Sequence, residues 1–195
     1  VPNIVHMQPK DEDEFVDMLW TMANYNSGPI AVRYPRGAGT GAKPKATPKL
    51  LDIGKAEVVQ HGKDVAIFGL GNMFEMAQDA ARKLEAQGVS VALINPRWIK
   101  PLDTGTLEFF ARSVEVVCTL EDHVLHNGFG CGVMEHLYTQ GIHTPIVRIG
   151  WPDQFIEHGT IPILRNKHGL PADAVAEKHP TPLKRNPGRA QTSPS

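Results

Sequence analysis

The alternation of apolar runs with helical segments constrains the fold of this chain more than any other feature. Apolar runs typical of buried strands lie at residues 64–70, 89–94, 114–120 and 145–149, and amphipathic helical segments lie between them at 73–87, 104–112 and 132–140. Residues 53–61 alternate in polarity, which favours an edge strand. Because alternating strands and helices form a largely parallel sheet covered on both faces, we predict an α/β fold, a three-layer sandwich with a mostly parallel five-stranded sheet, over residues 50–178.

The residues on either side of this domain have a different character. An acidic first turn followed by apolar residues at helical spacing predicts a helix over residues 11–24, and residues 30–32 form a short strand-like run. Residues 35–49 are rich in Gly, Ala, Lys, Thr and Pro without periodicity, which predicts a linker. Residues 179–195 carry four Pro among basic and small polar residues, which predicts a disordered tail.

The charge balance limits the partners of the chain. Lys and Arg number 20 against 21 Asp and Glu, a formal net charge of −1, which argues against nucleic acid and membrane surfaces as partners. No apolar run approaches the roughly 18 residues of a membrane-spanning helix, and the first ten residues lack the pattern of a secretory signal. We therefore expect a cytoplasmic protein whose two cysteines, Cys118 and Cys131, remain reduced.

A glycine-containing turn at residues 69–72 lies where a strand is predicted to pass into a helix. A dinucleotide fingerprint requires a third Gly, where this sequence has Phe74, and an acidic residue after the next strand, where it has Asn95. Tight packing of the strand against the helix is therefore the favoured interpretation. A nucleotide-binding regulatory domain remains an alternative.

The most polar segment follows the predicted strand at residues 114–120. It contains Glu121, Asp122, His123 and His126, which in principle are able to hold a metal ion. The His-Glu-x-x-His spacing of a helical zinc site is absent, so we favour a structural or interface cluster at the sheet edge, with no metal. Glu121, at the strand end before a glycine-rich helix start, is the best placed of the four to fix neighbouring backbone.

Arg36 follows the short strand at residues 30–32 on a corner between Pro35 and Gly37. Pro35 favours an extended conformation of the preceding residue, and Gly37 lets the chain turn. A guanidinium presented in this way suits a phosphate, because its planar fork donates two charge-assisted hydrogen bonds. A surface arginine covering a turn is an equal alternative on this evidence alone.

Seven motifs occur in an order that resembles one known family. They are Pro-Lys-Asp-Glu at residues 9–12, Gly-Pro-Ile-Ala-Val-Arg-Tyr-Pro-Arg-Gly at 28–37, Ile-Gly-Lys-Ala at 53–56, Lys-Pro-Leu-Asp at 100–103, Thr-Leu-Glu-Asp-His at 119–123, Gly-Phe-Gly-Cys-Gly-Val at 128–133 and Gly-Trp-Pro-Asp-Gln-Phe-Ile-Glu-His-Gly at 150–159. Over residues 1–178 this order closely resembles the C-terminal third of the 1-deoxy-D-xylulose-5-phosphate synthases, which are transketolase-like, thiamine-diphosphate-dependent enzymes.

The resemblance implies a specific reaction and a specific place in a larger enzyme. The family condenses pyruvate with glyceraldehyde 3-phosphate with loss of carbon dioxide, in the non-mevalonate route to isoprenoids, and the full-length enzyme uses thiamine diphosphate and magnesium. Residues 1–34 then correspond to the last helix and strand of a pyrimidine-binding domain, and residues 50–178 to the C-terminal domain. Arg36 matches the family arginine that grips the phosphate of the acceptor aldehyde. The family is dimeric, which implies a homodimer.

The family motifs that hold the cofactor are absent from this sequence. The Gly-Asp-Gly motif for magnesium and diphosphate, and the glutamate that activates the aminopyrimidine ring, lie upstream of the matched region in the family. We therefore expect this chain alone to bind no cofactor or metal and to lack activity, with the N-terminal and pyrimidine-binding domains as its partners. Residues 1–34 are expected to pack on the C-terminal domain, pair with another chain or remain mobile. An alternative is a stand-alone assembly module related to the C-terminal domains of thiamine-dependent dehydrogenases.

Overall fold

The computed structural model describes residues 1–177, and its larger sheet has the predicted architecture. Five strands form this sheet: β3 (Glu57–Gln60), β4 (Val65–Gly69), β5 (Val91–Asn95), β7 (Val116–Val124) and β8 (Ile146–Trp151). Their order is β3-β5-β4-β7-β8, and only β3 at the edge runs antiparallel to its neighbour. The prediction of a mostly parallel five-stranded sheet is therefore confirmed, while the predicted tail at residues 179–195 lies outside the described residues.

Helices cover both faces of this sheet. They are α2 (Phe74–Ala86), α3 (Thr104–Ser113), α4 (Phe129–Thr139) and α6 (Asp173–Glu177). A 3₁₀ turn at Gly71–Met73 precedes α2, and α5 (Ile161–Lys167), which has no buried residue, lies between β8 and α6 in the chain. On one face, Ile67 and Leu120 belong to a buried apolar cluster with residues of α2 and α6. On the other, Phe68 and Ile94 belong to a second cluster with residues of α3 and α4. The adjacent side chains of each strand therefore serve two separate cores, as expected for a three-layer fold.

The N-terminal residues form a second, smaller sheet that sequence patterning does not predict in full. The expected helix and strand are present as α1 (Glu12–Asn24) and β2 (Ile30–Val32), but a further strand, β1 (Val5–Met7), precedes them. β1 pairs in parallel with β2 and antiparallel with β6 (Trp98–Lys100), which lies within the C-terminal part of the chain. Of the three arrangements expected for residues 1–34, the structure has packing on the C-terminal domain.

A small apolar cluster joins the N-terminal residues to β6. Val5, Met7, Met18 and Trp98 are buried together, and the indole Nε1 of Trp98 donates to the carbonyl of Lys55 at 3.0 Å. The three-stranded sheet therefore has its own core, which contains residues from both parts of the chain.

Residues 35–49 contain no helix or strand, but they follow a defined path along α1. Glu12 accepts hydrogen bonds from the backbone N–H groups of Thr40 and Gly41, and Asp17 accepts one from the N–H of Lys49 at 2.7 Å. The acidic residues of α1 thus bind the backbone of this segment, a role additional to the favourable placement of negative charge in a first helical turn.

Two predicted element boundaries are wrong near the polar segment. β7 does not end at Leu120 but continues to Val124, because its pairing with β8 resumes beyond a bulge, where Val124 is paired with Trp151. α4 begins at Phe129, three residues before the predicted start, because the Glu121 carboxylate accepts hydrogen bonds at its first turn. Within residues 1–177, no helix combines the length and apolar character needed to cross a membrane.

Candidate functional site

A cavity of about 400 Å³ lies where the start of α1, the loop after β2 and the helices α2 and α5 meet. Its lining includes Tyr34 and Arg36 from the loop, Asn72 from the turn before α2, and Arg165 from α5. The cavity is therefore built from both parts of the chain. It lies beside the carboxyl ends of β4 and β7, the edge at which open α/β sheets commonly bind ligands.

Arg36 lies on an exposed part of this lining. Among the described residues, nothing forms a hydrogen bond or an ion pair with its guanidinium. The loop that carries it is nevertheless held in place, because Arg33 Nη2 donates to the main-chain oxygen of Asp122 at 2.9 Å and the ring of Tyr34 packs 4.8 Å from that of Phe15. An unpaired guanidinium on an anchored loop is suited to hold an anion.

Asp122 contacts two residues that line the cavity, Asn72 and Arg165. Its Oδ1 accepts a hydrogen bond from Trp151 Nε1 at 2.6 Å, and its Oδ2 accepts one from Asn72 Nδ2 at 2.5 Å. Arg165 Nη2 lies 3.5 Å from the same Oδ2. Burial raises the pKa of Asp122, but these hydrogen bonds and the charges of Arg165 and Arg33 outweigh burial, so that the pKa lies below its ordinary value.

The contact of Asn72 with Gln8 extends this network to the N-terminal segment. Gln8 Nε2 donates to Asn72 Oδ1 at 3.2 Å, and Gln8 itself is buried. Gly71 permits this approach: its φ is +58°, and a Cβ at this position would lie 2.2 Å from Gln8 Nε2. Only glycine combines the required conformation with the required space.

The glycine turn predicted to pack a strand against a helix makes such a contact at Gly69. A Cβ there would lie 2.6 Å from the Cβ of Ala77 on α2. This close approach is a physical reason for glycine at residue 69 that requires no nucleotide.

The four polar residues predicted as a cluster take separate positions. Glu121 accepts hydrogen bonds from the backbone N–H groups of Phe129 at 2.7 Å and Gly130 at 2.9 Å, and so caps the start of α4. Burial raises the pKa of Glu121 even though these bonds oppose the shift.

The two histidines are not joined to this cap by hydrogen bonds. His123 Nδ1 contacts the carbonyl of Val124 at 2.7 Å, whereas His126 is largely exposed, 3.5 Å from Asp153. Residues 1–177 contain no group of three or more His, Cys, Asp and Glu side chains arranged to hold a metal ion.

A buried ionic network between α1 and the larger sheet is the main feature that sequence reasoning missed. Glu14, only 3% exposed, accepts hydrogen bonds from Arg97 Nε at 2.6 Å and Asn95 Nδ2 at 2.8 Å. Lys10 lies between Glu14 and Glu57, with Nζ 2.8 Å from Glu57. The sequence signals for this network are Asn95, a polar residue directly after a buried apolar run, and the spacing of Lys10 and Glu14, four residues apart.

Comparison with known proteins identifies the domain that contributes Asn72 and Arg165 to this cavity. Residues 54–175 match the family model described as "Transketolase, C-terminal domain". The chain belongs to this family. The cavity lies partly outside the matched region, because the loop with Arg36 precedes it.

Two curated relatives extend the similarity to the N-terminal segment. The chain is 56% identical over 186 residues to 1-deoxy-D-xylulose-5-phosphate synthase from Methylacidiphilum infernorum, covering 92% of the chain and 29% of the relative. It is 52% identical over 178 residues to the enzyme of the same name from Acidobacterium capsulatum, covering 91% of the chain and 28% of that relative. The resemblance found in the motifs is therefore confirmed, and the chain spans less than a third of the length of these relatives.

A solved structure is similar in fold over most of this chain. A chain described as a split-gene transketolase, inactive beta4 tetramer, is 30% identical with a TM-score of 0.79, covering 91% of this chain and 57% of that chain. A transketolase from Pichia stipitis is 16% identical with a TM-score of 0.59, covering 90% of this chain and 24% of that one, and supports the fold alone.

Proposed function

We propose that this chain is the C-terminal portion of a 1-deoxy-D-xylulose-5-phosphate synthase. This transketolase-type transferase condenses pyruvate with glyceraldehyde 3-phosphate and releases carbon dioxide. The observation that carries the proposal is the position of Arg36, unpaired among the described residues and lining a cavity that both parts of the chain form. The identity of 56% to a synthase of that name, over 92% of the chain, supports the same assignment.

In this proposal Arg36 binds the phosphate of the acceptor aldehyde. A guanidinium can donate two parallel hydrogen bonds to phosphate oxygens, which fixes orientation as well as charge. The bond from Arg33 to Asp122 limits movement of the loop, so Arg36 loses less conformational freedom when it binds. The role of Arg36 is therefore to orient the aldehyde for attack.

The described residues do not fit thiamine diphosphate with magnesium. The carboxylates of Glu121 and Asp122 at the sheet edge already accept hydrogen bonds from protein groups, and no group of metal-ligating side chains lies elsewhere in residues 1–177. We propose that the N-terminal and pyrimidine-binding domains of the synthase hold the cofactor, which supplies the carbanion chemistry. They would be the partners of this chain in a cytoplasmic homodimer.

Calorimetry of the 195-residue chain with thiamine diphosphate and magnesium tests this division of roles. We expect no heat of binding at micromolar cofactor. Binding in that range would contradict the proposal that the cofactor belongs to other domains.

A chimera tests the assignment of function itself. The matching segment of the Methylacidiphilum infernorum synthase is replaced by this chain, and activity is measured with pyruvate and glyceraldehyde 3-phosphate. We expect an active enzyme, and we expect Arg36→Gln in the chimera to raise KM for the aldehyde at least tenfold while KM for pyruvate stays within twofold.

The matched control for this experiment is Arg112→Gln, because Arg112 is an exposed arginine of α3 whose ion pair is with Glu108. It removes the same charge and is expected to leave both KM values unchanged. A folded but inactive chimera, or an equal rise of both KM values in Arg36→Gln, would contradict the proposed role.

The split-gene relative favours a second candidate, a separately encoded assembly module. That chain is described as an inactive tetramer, and the similarity covers 91% of the present chain. Light scattering coupled to size exclusion tests this second candidate: a defined oligomer of the isolated chain supports it, and a monomer at micromolar concentration contradicts it.

A further inference from the structure

Arg165 lines the same cavity as Arg36 and has unused hydrogen-bonding capacity. It lies on α5, in the C-terminal part of the chain, whereas Arg36 belongs to the loop after β2. Its side chain is 20% exposed, so the guanidinium is mostly withdrawn from water yet still reaches the cavity. The topology therefore brings two arginines to one cavity from positions far apart in sequence.

The contacts of Arg165 with protein acceptors are incomplete. Its Nη2 lies 3.5 Å from Asp122 Oδ2, a long contact for a guanidinium and a carboxylate. Its Nε is buried and has no acceptor among the described residues. A buried N–H without an acceptor is unfavourable, and each arginine offers five N–H groups, so Arg165 can accommodate further acceptor oxygens.

Asp122 contacts Arg165 but does not occupy all of its N–H groups. The carboxylate also accepts hydrogen bonds from Trp151 and Asn72, so its negative charge is shared among several donors. The main-chain oxygen of the same residue accepts from Arg33, next to the loop that carries Arg36. Asp122 therefore contacts Arg165 directly and is hydrogen-bonded to Arg33, which precedes the loop that carries Arg36.

The remaining charged side chains of the cavity are mostly occupied. Lys10 is paired with Glu14 and Glu57, and the Glu12 carboxylate accepts hydrogen bonds from Thr40 and Gly41. Among the lining residues that the structure describes, two cations with free donors therefore remain, Arg36 and Arg165. The exposed carboxylate of Glu75 on α2 also lines the cavity and would repel a bound anion. The chemistry that matches two guanidinium groups is a phosphate monoester with three terminal oxygens.

We propose that Arg165 is a second phosphate-binding residue of this cavity, and that Asp122 positions it toward the anion that Arg36 also binds. This inference rests on the function proposed above, because it takes the phosphate of glyceraldehyde 3-phosphate as the anion. It adds that the C-terminal domain contributes a substrate contact of its own.

The test is a titration of the ¹⁵N-labelled chain with glyceraldehyde 3-phosphate and, separately, with inorganic phosphate, followed by NMR. We expect the arginine Nε–H resonance assigned to Arg165 to move on addition of either probe. Arg36→Gln and Arg165→Gln should each raise Kd about tenfold, the loss expected for one charge-assisted interaction in a partly hydrated site. Arg165→Lys should recover part of this loss, because it keeps the charge but not the fork.

Two further variants make the outcome specific. Arg112→Gln is expected to leave Kd unchanged, and Glu75→Gln is expected to lower it, because a repelling charge is removed. A rise in Kd for Arg36→Gln with none for Arg165→Gln would overturn this inference and leave the role of Arg36 intact. If neither variant changes Kd, or if wild type does not bind either probe at millimolar concentration, both roles fail for this chain. Circular dichroism of each variant establishes that it is folded.

Discussion

The five-stranded and three-stranded sheets are held in place by different kinds of interaction. Two large apolar clusters enclose the five-stranded sheet, one on each face. The three-stranded sheet has one small cluster around Trp98, and next to it the ionic network of Glu14, Arg97, Lys10 and Glu57. Apolar burial is non-directional and largely independent of pH, whereas buried charges require their partners. The attachment of the N-terminal segment should therefore depend on charged side chains more than the two apolar cores of the larger sheet do.

The largest expected effect is that of Trp98→Ala, which removes the largest side chain of the small cluster. The cavity should destabilise the three-stranded sheet by about 3–5 kcal/mol. Hydrogen exchange should show loss of protection in β1 and β2 while β4 and β7 remain protected.

The matched variant for this comparison is Ile67→Ala, in the core of the five-stranded sheet. We expect it to lower the free energy of global unfolding by about 2–5 kcal/mol. Equal loss of protection across both sheets in Trp98→Ala would break the comparison, because the two sheets would then unfold as one unit.

Glu14→Ala tests the contribution of the buried ionic network to stability. It leaves Arg97 and Lys10 without their shared carboxylate, and we expect a cost of about 3 kcal/mol, at the lower end for a broken buried pair because Glu57 still faces both cations. Urea denaturation measures this free energy. Glu115→Ala, at an exposed position of the chain, serves as the control and should change stability by less than about 0.5 kcal/mol.

Gly71→Ala tests whether the contact between the two parts depends on close approach. The new Cβ would collide with Gln8, and the positive φ is unfavourable for alanine, so we expect a loss of about 2 kcal/mol. Gly88→Ala separates the two causes, since Gly88 has a φ of +85° with open space around it. If Gly71→Ala lowers the free energy of unfolding no more than Gly88→Ala does, the close contact with Gln8 does not contribute to stability.

Acid should have the smallest effect: protonation of Glu57, whose side chain is 34% exposed, should weaken attachment of the N-terminal segment by less than about 1 kcal/mol. Burial raises the pKa of Glu57, but hydrogen bonds with Lys10 and Asn95 and the charges of Lys10 and Arg97 bring it below the ordinary value of 4.5. The stabilisation is therefore complete above pH 4.5 and is lost as pH falls through the lower folded value.

Hydrogen exchange and NMR between pH 6 and pH 3 measure this effect. As the pH falls, the amide protection of β1 should decrease relative to that of β4. Glu57→Gln should remove this pH-dependent difference between the two strands. An identical pH profile for both strands would contradict the assignment of Glu57 to the attachment of the N-terminal segment.

The sequence predicts the larger sheet well because local pattern and tertiary role agree there. The run at residues 64–70 is apolar because β4 is central and buried on both faces, and Gly88 marks the end of α2 with a φ of +85°. The missed strands β1 and β6 have three residues each and lie beside Pro or polar residues. Their pairing joins residues more than 90 positions apart, which no local periodicity records.

The site is less predictable than the fold for a related reason. Arg36 stands out because Pro and Gly flank it, and Glu121 because it follows an apolar strand. Arg165 has no such local signal, since its partner Asp122 lies 43 residues away in sequence. The continuation of β7 to Val124 was missed because polar residues there are satisfied by tertiary partners that the sequence alone does not reveal.

The pairing of β1 with β6 bears on how this domain should be produced in isolation. A truncated chain that starts at residue 54, where the family match begins, would leave β6 without its hydrogen-bonding neighbour and would uncover the indole of Trp98. Such an open strand edge beside an apolar side chain promotes association between copies. Shortening the chain to its recognised domain would thus lower its solubility, and residues 1–53 should be retained for expression.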